Sequence, residues 1–249
     1  MDFRNKTTFY ILLLCVLPSV SLAQYRYKKF TYFGIDAGLK GDVNTMSDTG
    51  YELYQKGGFQ NGIQGVFLEQ ELSRYTSIST GLYFTKSTLN FKFHRDNGIN
   101  TYPSMRSMLI PLRFIVNIPL FYGIPEIRLA PSLGINTAFN LSDNQLIIRG
   151  RIAPDLSDTY TGMIRYDLTT VYFLGEGGLN LDMMFAKGLI ISVGGNYAQG
   201  IANVSRLDLE YRIGREINQG GLASRGSYYS IHLNAKYPIS RWWRNKKPK

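Results

Sequence analysis

Residues 104–139 read SMRSMLIPLRFIVNIPLFYGIPEIRLAPSLGINTAF, and their alternation decides the fold. In the first half, Met108, Ile110, Leu112, Phe114, Val116 and Ile118 share one face, while Ser107, Leu109, Pro111, Arg113 and Asn117 share the other. A repeat of two belongs to a strand between two different environments, and helical spacing does not fit it. A half-buried soluble strand does not need six apolar positions in register without a charge; a lipid-facing strand does. A short, proline-bounded connection leads into a second run of the same kind. The expectation is an all-β chain, a transmembrane β-barrel.

The N-terminus sets the compartment. Arg4 and Lys6 precede an apolar stretch, Tyr10 to Val20, and Ser21-Leu22-Ala23 places small residues where a signal peptidase cuts, before Gln24. Residues 1–23 therefore read as a secretory signal peptide. Cys15 lies in mid-core after Leu12-Leu13-Leu14, without the small residues a lipoprotein signal sets before its cysteine. Cleavage removes this single cysteine, so the mature chain has neither disulfides nor thiol chemistry. It leaves no later run of the roughly 18 apolar residues that a membrane helix requires. The net charge of +10 falls to +9, since the signal carries Arg4 and Lys6 against Asp2. Arg241, Arg244, Lys246, Lys247 and Lys249 concentrate much of that excess in a basic tail, 240–249. An exported chain does not meet nucleic acid, and the tail reads as solvated.

Eight alternating segments follow in the barrel region, 24–239: about 29–40, 59–72, 76–90, 104–118, 125–139, 165–181, 188–199 and 227–239. Phe33, Ile35, Ala37 and Leu39 oppose Tyr32, Gly34, Asp36 and Gly38 in the first. In the last, Tyr229, Ile231, Leu233, Ala235, Tyr237 and Ile239 oppose Ser230, His232, Asn234 and Lys236. In the second, either Phe67 and Glu69 or Val66 and Leu68 point inward; the pattern allows both. The connections alternate long and short, as in outer-membrane barrels with long extracellular loops and short periplasmic turns. Tyr237, Trp242 and Trp243 fall where an interfacial aromatic belt belongs.

The chain resembles the outer-membrane β-barrel family common in Bacteroidetes, porin-like and including relatives of the PorT secretion protein. The stretches that carry the resemblance are GIQGVFLEQEL (62–72), ISTGLYFTKS (78–87), MLIPLRF (108–114), APSLGI (130–135), LGEGGLNL (174–181) and NYAQGIANV (196–204). They run in family order over about 59–239. The resemblance implies an eight-stranded up-and-down barrel and brings no catalytic residues. The basic tail departs from members that end at the final strand.

Several motifs invite chemistry. Asp48-Thr49-Gly50 matches the aspartic-protease triplet, but it has no second copy and lies in a polar connection, so it reads as a turn. Gly175-Glu176-Gly177-Gly178 has the wrong spacing for a phosphate loop and no helix after it. His94, near Asp96, and His232 are the only histidines, which argues against a transition-metal site and leaves a barrel hydrolase without a visible triad. No catalytic residue, metal or cofactor is expected. Asp36, Arg113, Glu176, Lys236 and His232 fall on interior faces, and the lumen of eight strands is just wide enough for side chains to fill. The expectation is an internal ion-pair network acting as a plug. Finally, Leu207, Leu209, Tyr211 and Ile213 alternate with Arg206, Asp208, Glu210 and Arg212, suggesting that strands 7 and 8 continue outward as a charged ribbon. The functional expectation is an envelope structural or partner-binding protein in outer-membrane lipid, using loops 140–164 and 200–226. A narrow passive pore, a secretion-system accessory and a barrel enzyme are the alternatives, with a soluble periplasmic barrel as the structural rival.

Overall fold

Eight strands run antiparallel to their neighbours, and the last pairs with the first, so the sheet closes on itself. They are β1 (Thr31–Asp48), β2 (Asn61–Glu71), β3 (Thr76–Ser87), β4 (Met105–Val116), β5 (Glu126–Asn140), β6 (Val171–Met184), β7 (Ile190–Gly200) and β8 (Glu216–Pro238). The computed structural model describes residues 29–51, 53–54, 58–94, 100–101, 105–142, 145–151, 159–166, 170–185 and 188–239. The expected signal peptide, Asp96, the basic tail and its Trp242 and Trp243 lie outside the described residues. Closure leaves the wall without a free edge, which a sheet in lipid requires.

The exterior is apolar where the sequence places it. Ile35, Leu112, Phe114, Leu133, Ile135, Phe173, Leu179, Val193, Ile231 and Leu233 all stand exposed on the outer wall. The open phase of β2 resolves with Val66 and Leu68 outward and Phe67 and Glu69 buried in the lumen. Phe67 fits there because its cross-strand partner on β1, Gly34, lacks the Cβ that would collide with the ring. Gly65 makes a similar allowance for Tyr83, its cross-strand partner, whose ring occupies the space a Cβ would need. Pro111 has no N–H to donate, and the β3–β4 ladder breaks between the Thr80–Leu112 and Tyr83–Leu109 pairs. At the short-turn end Tyr75, Phe121, Tyr122 and Tyr237 form an exposed aromatic girdle, with Arg74 over the rings of Tyr75 (5.6 Å) and Tyr122 (5.8 Å).

The long-loop end differs from the sequence expectation. The first strand does not stop at 40 but reaches Asp48, and the last begins at Glu216 rather than 227. At about 3.4 Å per residue the 18 residues of β1 outrun a hydrocarbon core of about 30 Å even when tilted. Beyond lipid neither face must be apolar, so the alternation that marks a strand fades. The sixth strand starts at Val171, and residues 159–166 form a separate strand. The third ends at Ser87, and Asn90–Phe93 pairs instead with Leu53–Tyr54.

The ribbon also needs correction. β8 does continue outward, but β7 stops at Gly200, and the chain resumes pairing with β8 only at Ser205–Ile213. Opposite this break β8 carries a bulge between its Tyr228 and Ser224 pairings with β1, where Gly226 takes a φ of +74°. Strands Thr159–Tyr166 and Gln145–Arg151 add to the ribbon in turn, where the sequence suggested a polar loop. The result is a sheet standing beyond the barrel, built on the outer halves of β1 and β8.

Candidate functional site

The lumen is filled by side chains in three polar tiers. Nearest the short turns, Lys236 Nζ lies 2.7 Å from Glu69 Oε2 and 3.1 Å from Asp182 Oδ2, all three buried. Ser77 donates to Glu69 Oε1 at 2.9 Å. In the middle tier Arg113 Nε approaches Glu176 Oε1 to 2.8 Å as an ion pair, while its Nη2 donates to Oε2 at 3.3 Å. Asn136 Nδ2 donates to the same carboxylate, Arg113 Nη1 donates to Tyr83 Oη at 3.0 Å, and Tyr83 donates to Asp36 Oδ2 at 3.3 Å. His232 Nε2 lies 2.8 Å from Asn180 Oδ1. In the outer tier Lys40, only 1% exposed, donates to Asp42 at 2.6 Å, to Ser87 Oγ at 2.6 Å and to the Lys86 carbonyl at 3.0 Å. Charges held in so narrow a space persist because each meets a partner.

Asp36, Arg113, Glu176, Lys236 and His232 thus all face the lumen; Arg113 pairs with Glu176 and Lys236 with other carboxylates, while Asp36, Arg113, His232 and Lys236 border one small cavity. Lys236 serves Glu69 and Asp182, which the sequence reading left out. The phase of β2 was open, and Asp182 falls one residue past the expected end of its strand. Lys40 shares the parity of Asp36 along β1, so its inward position was legible; its partner Asp42 lay in a segment read as loop. An apolar band that includes Phe67, Leu109, Tyr172, Leu174 and Tyr228 packs between the middle and outer tiers. Below it a cavity of about 30 Å³ touches Asp36, Glu69, Asp182, Asn196, His232 and Asn234. The Oδ1 atoms of Asn196 and Asn234 have no protein partner, and the space suits about one or two waters.

Above the lumen the outer sheet carries its own core. Leu53, Phe91, Phe93, Leu207, Tyr211 and Leu222 are buried together, with Phe93 edge-on to Phe91 (5.6 Å) and to Tyr211 (5.2 Å). Tyr211 is therefore no surface residue, contrary to its place in the expected exposed ribbon. Its hydroxyl donates to Asp48 Oδ1, and Asp48 Oδ2 accepts from the Leu53 backbone at 2.7 Å. That is the work of the Asp48-Thr49-Gly50 triplet: its carboxylate pins a turn to the cap. Arg206 and Asp208 stay outside, paired at 2.7 Å, with Glu210 and Arg212 on the same face. His94 is exposed and stacks 4.8 Å from the Tyr54 ring, at the opposite end from the His232 tier. Gly175-Glu176-Gly177-Gly178 is β6 wall, with Glu176 its inward charge. Among the described residues no three metal-ligating side chains converge.

Closed eight-stranded wall, apolar exterior and filled interior together define a transmembrane β-barrel. No family model and no curated protein matches the chain. Among solved structures it is similar to the outer membrane protein OprG of Pseudomonas aeruginosa, at 10% identity over 84% of this chain and 97% of that one, with a TM-score of 0.42. It is also similar to a major outer membrane protein of Thermus thermophilus, at 13% identity over 83% and 98% of the two chains, TM-score 0.39. For the translocator domain of the autotransporter NalP of Neisseria meningitidis the identity is 13%, over 94% and 97%, with a TM-score of 0.22.

Proposed function

We propose that the chain is exported through a cleaved signal peptide into the bacterial outer membrane and acts there as a structural or partner-binding protein of the envelope. In this reading the short turns and both termini face the periplasm, and the cap faces outward. The observation that carries it is the pairing of a plugged lumen with a cap that has its own hydrophobic core. A pore has no need of such a cap, whereas a recognition surface needs rigid support. On the cap a groove of about 500 Å³ runs between Asp48, Thr49, Arg206, Asp208, Glu210 and Gly220, mixed in charge and open to solvent. Segment 200–226 supplies most of the groove, and the proposed partner surface also takes in loop 140–164. The motif resemblance to Bacteroidetes barrels favours an envelope role, with service to a secretion system as its narrower form.

Planar-bilayer recording of the purified, folded protein tests the choice against a passive pore. The expected trace has no steady unitary conductance, because the buried ion pairs and the apolar band occupy the lumen. A reproducible open level surviving repeated insertions would favour the pore.

A further inference from the structure

Lys86 and Arg106 stand directly opposite each other on β3 and β4, both pointing out of the barrel. Each is the first charge beyond its strand's apolar run, after Phe84 on β3 and after Met108 on β4, so the pair sits at the headgroup level of the membrane. Like charges directly opposite across a ladder repel, and among the described residues neither has a carboxylate partner. Beside them the wall is hollow. A groove of about 590 Å³ opens where Ala37 and Gly62 present almost no side chain, between Phe84 and Leu141. Segment 140–142 is fastened to this edge: the Leu141 N–H donates to the Arg106 carbonyl (2.8 Å), and the Arg106 N–H donates to Ser142 Oγ (2.7 Å).

From this geometry we infer a binding site for a phosphorylated lipid of the outer leaflet. Its phosphate bridges Lys86 and Arg106, and one acyl chain lies in the Ala37–Gly62 hollow. Arg106 offers a planar fork to two phosphate oxygens and Lys86 a point charge, so one anion relieves the repulsion between them. The hollow, mostly apolar although Gln64 also lines it, adjoins the cations, the arrangement an amphiphile has and a free anion lacks. The inference rests on the orientation proposed above.

Native mass spectrometry of the detergent-purified protein, titrated with synthetic diphosphoryl lipid A, tests it. Lipid adducts are expected on the wild type and on Lys86→Arg/Arg106→Lys. Binding by Lys86→Gln/Arg106→Gln should be roughly twenty-five-fold weaker, at about a factor of five per cation. All variants should keep the heat-dependent gel mobility of a folded barrel. Equal binding by the glutamine variant would overturn the site, and inorganic phosphate binding as tightly as the lipid would overturn the acyl hollow. Loss of the mobility shift in the wild type would instead strike the membrane reading itself.

Discussion

Arg113→Met is expected to cost the folded barrel about 3–5 kcal/mol, the usual penalty for stranding a buried charge. The variant removes the Glu176 ion pair and both donations from the guanidinium, leaving Glu176 with the amide of Asn136. It also breaks the path from Glu176 through Tyr83 to Asp36. In the unfolded chain both charges return to water, so the penalty falls on the native state alone. Arg113→Met combined with Glu176→Leu should recover most of the loss, because a matched apolar pair of similar volume needs no desolvation of ions. Urea titration of the refolded protein, read by gel mobility, measures both. A single variant within about 1 kcal/mol of wild type, below the range for a broken buried pair, would show that the middle tier does not hold the plug.

The second large effect lies in the cap. Phe93→Ala empties the centre of the outer core, where the ring meets Phe91, Tyr211 and the strand carrying Leu53. Truncation of a buried phenylalanine costs about 3–5 kcal/mol, and here the loss should be confined to the cap. Limited proteolysis of intact cells should then cut within 205–224 far faster than in wild type, while the membrane-embedded wall stays folded. Unchanged cleavage would mean that the outer strands draw their order from β1 and β8 alone. Collapse of the whole barrel would mean that cap and wall fold as one unit.

How much of this was legible in the sequence depended on lipid. Where the wall crosses the membrane, the contrast between an apolar outside and a polar inside is forced, and strands such as 108–118 and 229–239 can be faced residue by residue. The second strand was ambiguous because a small lumen tolerates an aromatic, so Phe67 beside Glu69 gave no clear phase. Once β1 and β8 leave the bilayer the contrast changes meaning. Thr45 and Ser47 mark the outward face of β1 without any apolar signal, so the local pattern there does not separate strand from loop. The cap core did leave a trace: Leu89, Phe91 and Phe93 alternate with Asn90 and Lys92, as Leu207, Leu209 and Tyr211 alternate with charges. Each is a half-buried strand of ordinary soluble type, and which strands meet is set by three-dimensional closure that no local pattern encodes. The interior charges were visible by parity, but their partners were not, since pairing depends on register across several strands.

The most direct test of the central claim is the gel mobility of the detergent-extracted membrane fraction, with and without boiling. A closed barrel in the outer membrane predicts recovery in that fraction and a band that shifts on boiling. A soluble periplasmic protein with no shift would contradict it, and the outward apolar wall would then need another explanation.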